Sequence, residues 1–144
     1  MEKYNVDPGS IVLEITESAS IVEKAILLEN MNRLRKVGVR FALDDFGTGQ
    51  CNLNYIVEMP VDIVKFDSAM TKAYFKNGKG KLVMDAAMGM IHKLNLEIVS
   101  EGIEEKKQFE RLDDLGIDYI QGYYFSKPKE QDDFISFIKE NNQT

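Results

Sequence analysis

Five polar residues stand near the ends of five apolar runs: Glu14 in "SIVLEIT", Asp44 in "VRFALDD", Lys65 in "VDIVKFD", Glu101 in "LEIVSEG" and Gln121 in "DYIQGYYF". Three are carboxylates, and Asp45 adds a fourth directly after Asp44. Gathered in one place, these carboxylates repel one another unless a cation lies among them. An all-oxygen donor set suits a hard divalent ion such as Mg²⁺ or Mn²⁺. Lys65 adds a positive charge, which can meet an anionic group or pair with Asp44 or Glu101.

Convergence depends on the elements that carry these residues. Side chains two apart on a strand share a face, so each of the five has a definable face near a strand end. The five are spaced 30, 21, 36 and 20 residues apart, which fits successive strand–helix units. Helical patterns fill the intervals: "KAILLENMNRLRKV", opened by a capping box at Ser20–Glu23 and stopped at Gly38, then "CNLNYIVEM", "KLVMDAAMGMIHKL" and "EEKKQFERLDDLG", which ends at Gly116. "EQDDFISFIKENN" predicts an acidic closing helix that covers the sheet, and "KNGKGK" predicts a solvated loop. Alternating strands and helices predict an α/β fold with about five parallel strands. In such folds, active sites gather at the C-terminal strand ends. For Asp44 and Asp45 to meet one site, the strand must end there, and Gly47 and Gly49 permit the turn.

The composition bounds the rest. With 144 residues, 44% hydrophobic and 29% charged, the chain suits one folded domain. A net charge of -6 argues against DNA and anionic membrane surfaces as partners. Cys51 is the single cysteine, so no internal disulfide forms and a reducing, cytoplasmic setting is expected. No apolar run is long enough for a transmembrane helix, and "MEKYNVDPGS" lacks a signal-peptide core. His92, the single histidine, reads as structural or surface. Met84, Met88 and Ile91 read as a helix core face.

Five segments in order, "LEITES", "FALDDFGTG", "VKFD", "VSEGIE" and "QGYYFSKP", resemble the EAL domain family, the cyclic di-GMP phosphodiesterases. The resemblance implies a modified TIM barrel that hydrolyses cyclic di-GMP to linear pGpG at a two-metal Mg²⁺ or Mn²⁺ site. It implies metal ligands at Glu14, Asp44, Asp45 and Glu101, with Glu101 also a base. It places Lys65 at the hydrolytic water and scissile phosphate, with Gln121, Glu17 and Glu104 in support. It gives the loop Phe46, Gly47, Thr48 and Gly49 a part in a homo-oligomer. The Glu-Ala-Leu signature and its glutamate have no counterpart here, nor has a metal-binding asparagine before Glu14. Residues 1–144 therefore read as the C-terminal portion of one EAL domain, a partial TIM-type barrel with low activity alone.

Two other readings compete: a non-catalytic cyclic di-GMP-binding or dimerisation module, and a fragment of another barrel metalloenzyme. An incomplete barrel also predicts open sheet edges, uncovered Val12, Ile63 and Val99, and self-association.

Overall fold

The computed structural model describes residues 2–16, 24–48 and 53–141. Its five strands are β1 (Val12–Ile15), β2 (Arg40–Phe46), β3 (Ile63–Phe66), β4 (Glu97–Ser100) and β5 (Tyr119–Ile120). All pair in parallel, each with the next in sequence. This is an arc of a TIM-type barrel; a doubly wound sheet would reverse its strand order. The connecting helices are α1 (Lys24–Arg35), α2 (Leu53–Glu58), α3 (Ser68–Lys76), α4 (Gly78–Lys93) and α5 (Lys106–Asp114), with α6 (Gln131–Asn141) closing the chain. Among the described residues no helix is long and apolar enough to cross a membrane.

The two faces of the sheet differ. Phe41, Leu43, Val64, Phe66 and Ile98 join Met31, Ile56, Met84, Met88, Ile91 and Leu112 in the core under the helices. Ala42 and Ile63, which are register partners, are buried on the opposite face with Lys65. That face is most open at its edge strands, and Val99 on β4 is half-buried beside a surface hollow. Val12 is 41% exposed and Tyr119 48%, whereas Ile63 is 4% exposed. The expected uncovering of Ile63 does not occur, because β2 and β4 flank it and Arg40 pairs with Glu97 across β3.

Three helix-to-strand turns share one design. At Gly38, the Gly38 N–H donates to Arg35 O and the Val39 N–H to Leu34 O. The same two bonds recur at Asn95 and Gly116, and all three residues have φ between 57° and 103°. A left-handed residue after the helix satisfies its last carbonyls and sends the chain back toward the sheet.

Three expectations are corrected. "KNGKGK" is not a loop: it spans the junction of α3 and α4, with Asn77 capping both and its side chain accepting from Gly80 N at 2.7 Å. The fifth strand stops at Ile120. Beyond it, Gly122 lies so close to Ile103 that an added Cβ would sit 2.0 Å from Ile103 O, and the Tyr124 N–H turns back to that same carbonyl. Helix α6 buries none of its own residues: Phe134 and Ile135 stay exposed, and Phe134 and Phe137 line a surface hollow with Gln121, Gly122 and Tyr123. The capping box at Ser20–Glu23 lies outside the described residues.

Candidate active site

Lys65 is 6% exposed, on the middle strand. Its Nζ lies 2.7 Å from Glu14 Oε1, 2.7 Å from Glu101 Oε1 and 3.0 Å from Asp44 Oδ1. Asp44 is next door on β2, where a short side chain suffices. Glu14 is two strands away on β1, about 10 Å at ordinary strand spacing, so its longer side chain is needed. Glu101 follows β4 directly, and its N–H extends the ladder to Phe66 O. Burial works against the Lys65 charge, but hydrogen bonds to Glu101, Glu14 and Asp44 outweigh it. They hold the ammonium's pKa above the ordinary lysine range.

The paired aspartates are arranged by a bulge, not by the end of the strand. Leu43 pairs with Val64 and Phe46 with Phe66, so Asp44 and Asp45 together oppose the single Lys65. Asp45 absorbs the extra residue with φ of 57°. Asp44 thereby keeps the face of Lys65. Phe46 returns to the helix side, with its ring 5.7 Å from that of Phe66. The expectation that the strand must stop at Asp45 is corrected: a bulge re-aims side chains without losing the pairing beyond it.

The other expected site residues are placed as follows. Asp45 is exposed and is not among the Lys65 ion pairs. Gln121 is exposed one residue past β5, beside a surface hollow of about 450 Å³. Glu104 is exposed, its N–H donating to Gln108 Oε1. Phe46 is buried, Gly47 takes φ of 103°, and the Thr48 hydroxyl donates to Asp45 O. Glu17, Gly49 and Cys51 lie outside the described residues. His92 pairs with Asp118 at 3.3 Å, apart from the cluster.

Sequence reasoning missed the supports. Asp62, just before β3, accepts from the Phe41 N–H and from Arg35, both at 2.9 Å. Asp118, just before β5, accepts from the Ile98 N–H at 2.8 Å. Each fixes the start of the strand that leads to Asp44 or Glu101. Thr71 and Ser100 form a buried hydroxyl pair at 3.0 Å. An aspartate directly before an apolar run was the available signal.

Among the described residues no three Asp, Glu, His or Cys side chains form a ligand shell of their own. The three carboxylates instead surround an ammonium. In kind they fit a hard divalent cation, since they are oxygen donors from β1, β2 and the end of β4 aimed at one positive charge.

Residues 1–128 match the EAL domain family. The chain belongs to that family. Among its EAL relatives, cyclic di-GMP phosphodiesterase RocR of Pseudomonas aeruginosa is 31% identical over 137 residues, covering 95% of this chain and 35% of RocR. Cyclic di-GMP phosphodiesterase PdeB of Shewanella oneidensis is 33% identical over 126 residues, covering 88% of this chain and 15% of PdeB. Of the solved structures, EAL enzyme Bd1971 in its cAMP- and cyclic-di-GMP-bound form superposes with TM-score 0.87 and 33% identity, over 95% of this chain and 36% of that one. The manganese and cyclic di-GMP complex of Klebsiella pneumoniae BlrP1 superposes with TM-score 0.78 and 25% identity, over 88% of this chain and 32% of that one. The chain thus spans roughly a third or less of these EAL proteins.

Proposed function

We propose that this chain is part of a cyclic di-GMP phosphodiesterase of bacterial second-messenger signalling. Its reaction adds water across one P–O bond of the cyclic dinucleotide and yields linear pGpG. The observation that carries the reading is the convergence of Glu14, Asp44 and Glu101 on Lys65 at one end of the sheet. The names of RocR and PdeB and the ligand of Bd1971 support the substrate. Glu14, Asp44, Asp45 and Glu101 would hold Mg²⁺ or Mn²⁺. Such an ion acidifies water and offsets charge on the phosphate. Lys65, held protonated, donates to the phosphate oxygens as negative charge builds. Glu101 also receives the proton of the attacking water. Gln121, Glu104 and Glu17 support this set, and the loop from Phe46 to Gly49 takes part in self-association. A cytoplasmic setting completes the reading.

The five strands among the described residues leave the barrel open, so the 144-residue chain alone turns over little cyclic di-GMP, and supplying the closing strands raises turnover. Chromatographic detection of pGpG tests both statements. Rapid metal-dependent turnover by the chain alone would overturn the first. Absence of pGpG from the completed barrel would overturn the second and favour the other reading, a non-catalytic binding or dimerisation module. That reading draws on Lys65, which already supplies the carboxylates with a counter-ion.

A further inference from the structure

Glu101 lies on no regular element. It follows β4 and opens residues 101–104, which are neither helix nor strand. Its own N–H donates to Phe66 O at 3.1 Å and ties its backbone to β3, and the contacts of its neighbours add to that hold. Ser100 and Thr71 are 0% and 1% exposed, and their hydroxyl oxygens are 3.0 Å apart. The Thr71 hydroxyl also reaches Asp67 O at 3.3 Å. The proton order follows: Ser100 donates to Thr71, and Thr71 donates to Asp67 O. This buried chain ties the residue before Glu101 to the residue two beyond Lys65.

The backbone makes a second tie. Gly102 has φ of 76°, and an added Cβ would lie 2.6 Å from the Cβ of Ser68. An added Cβ at Gly47, beyond the paired aspartates, would lie 2.7 Å from Met70 Sδ. Ser68, Met70 and Thr71 all belong to the start of α3. One stretch of helix therefore seats the segments after Asp44 and around Glu101, and it continues directly from the strand of Lys65.

We infer that the start of α3 is a positioning element, with the Thr71 hydroxyl as the contact that holds Glu101 toward Lys65. The inference deepens the proposed function and rests on Glu101 being a working carboxylate there. A purely structural pair would serve as well with two apolar groups of the same shape. Buried hydroxyls satisfied in one order instead specify a single geometry.

The test uses the full 144-residue chain, ¹⁵N-labelled, with the Lys65 ammonium signal assigned by its loss in Lys65→Met. Thr71→Val should speed exchange of the Lys65 ammonium hydrogens with water at least about fivefold. It should also weaken Mn²⁺ binding about tenfold by calorimetry, in line with the loss of outer-shell partners at metal sites. Thr71→Ser should match the parent. The double variant Thr71→Val/Ser100→Ala should recover the melting temperature and keep the fast exchange; it also carries the test if Thr71→Val fails to fold. Parent-like exchange in Thr71→Val, or its recovery in the double variant, would overturn the inference. If the parent binds no Mn²⁺, the metal reading fails and the ammonium signal alone decides this one.

Discussion

Replacing Lys65 by Met keeps most of the apolar stem and removes the charge from three carboxylates. Each contact at about 3 Å carries roughly 5–6 kcal/mol of gross attraction at an effective dielectric near 20, most of it offset by desolvation. Breaking a buried pair by deleting one partner costs about 3–5 kcal/mol net. The Glu14 side chain is 50% exposed, which screens part of the repulsion left behind, so the lower end, about 3 kcal/mol, applies here. For a chain of this size that is a fall of roughly 6–12 °C in melting temperature. Mn²⁺ should then restore what the ammonium supplied: at about 100 times its Kd it adds about 2.7 kcal/mol. Thermal melts followed by circular dichroism, with and without Mn²⁺, measure both effects. A Lys65→Met chain that melts within about 1 °C of the parent would refute the ion-pair reasoning. A large loss that Mn²⁺ leaves unchanged would refute the shared cation site.

Other substitutions probe the backbone around the site. Gly122→Ala forces a Cβ to 2.0 Å from Ile103 O and should cost at least about 3 kcal/mol in urea unfolding; a neutral result would show that the loop after β5 moves freely. Asp45→Val puts a β-branched residue at φ of 57° and should cost about 1–2 kcal/mol, while Asp45→Gly stays within about 1 kcal/mol of the parent. Val12 and Leu13 of β1 are 41% and 39% exposed, and among the described residues β1 pairs with a strand on one side only. Such an edge invites another chain, so light scattering over a dilution series should show a dimer or larger assembly. A monomer at high micromolar concentration would count against it.

The elements legible in the sequence were those with a local signal. Strong apolar runs marked β2, β3 and β4, and Gly38 and Gly116 marked two helix ends by their left-handed tendency. Asn95 makes the same turn without a glycine; asparagine also tolerates the left-handed conformation, but less distinctively than glycine. The first turn of α4 was read as a loop because Gly78 and Gly80 suggest one, although Gly80 lies so close to Ala73 of α3 that an added Cβ would sit 2.2 Å from its carbonyl oxygen. At the site, strand parity placed Glu14, Asp44, Lys65 and Glu101 on one face. It could not show that Asp45 would be taken up by a bulge, because a bulge is set by pairing with another strand. Nor could it find Thr71 and Ser100, whose meaning lies in a contact between residues 29 apart.

The central claim is that Glu14, Asp44 and Glu101 are one cation site, and calorimetric titration with Mn²⁺ tests it most directly. The parent chain should bind, and Glu14→Ala, Asp44→Ala and Glu101→Ala should each weaken binding at least about tenfold. Binding by Asp44→Ala and Glu101→Ala as tight as by the parent would contradict the account.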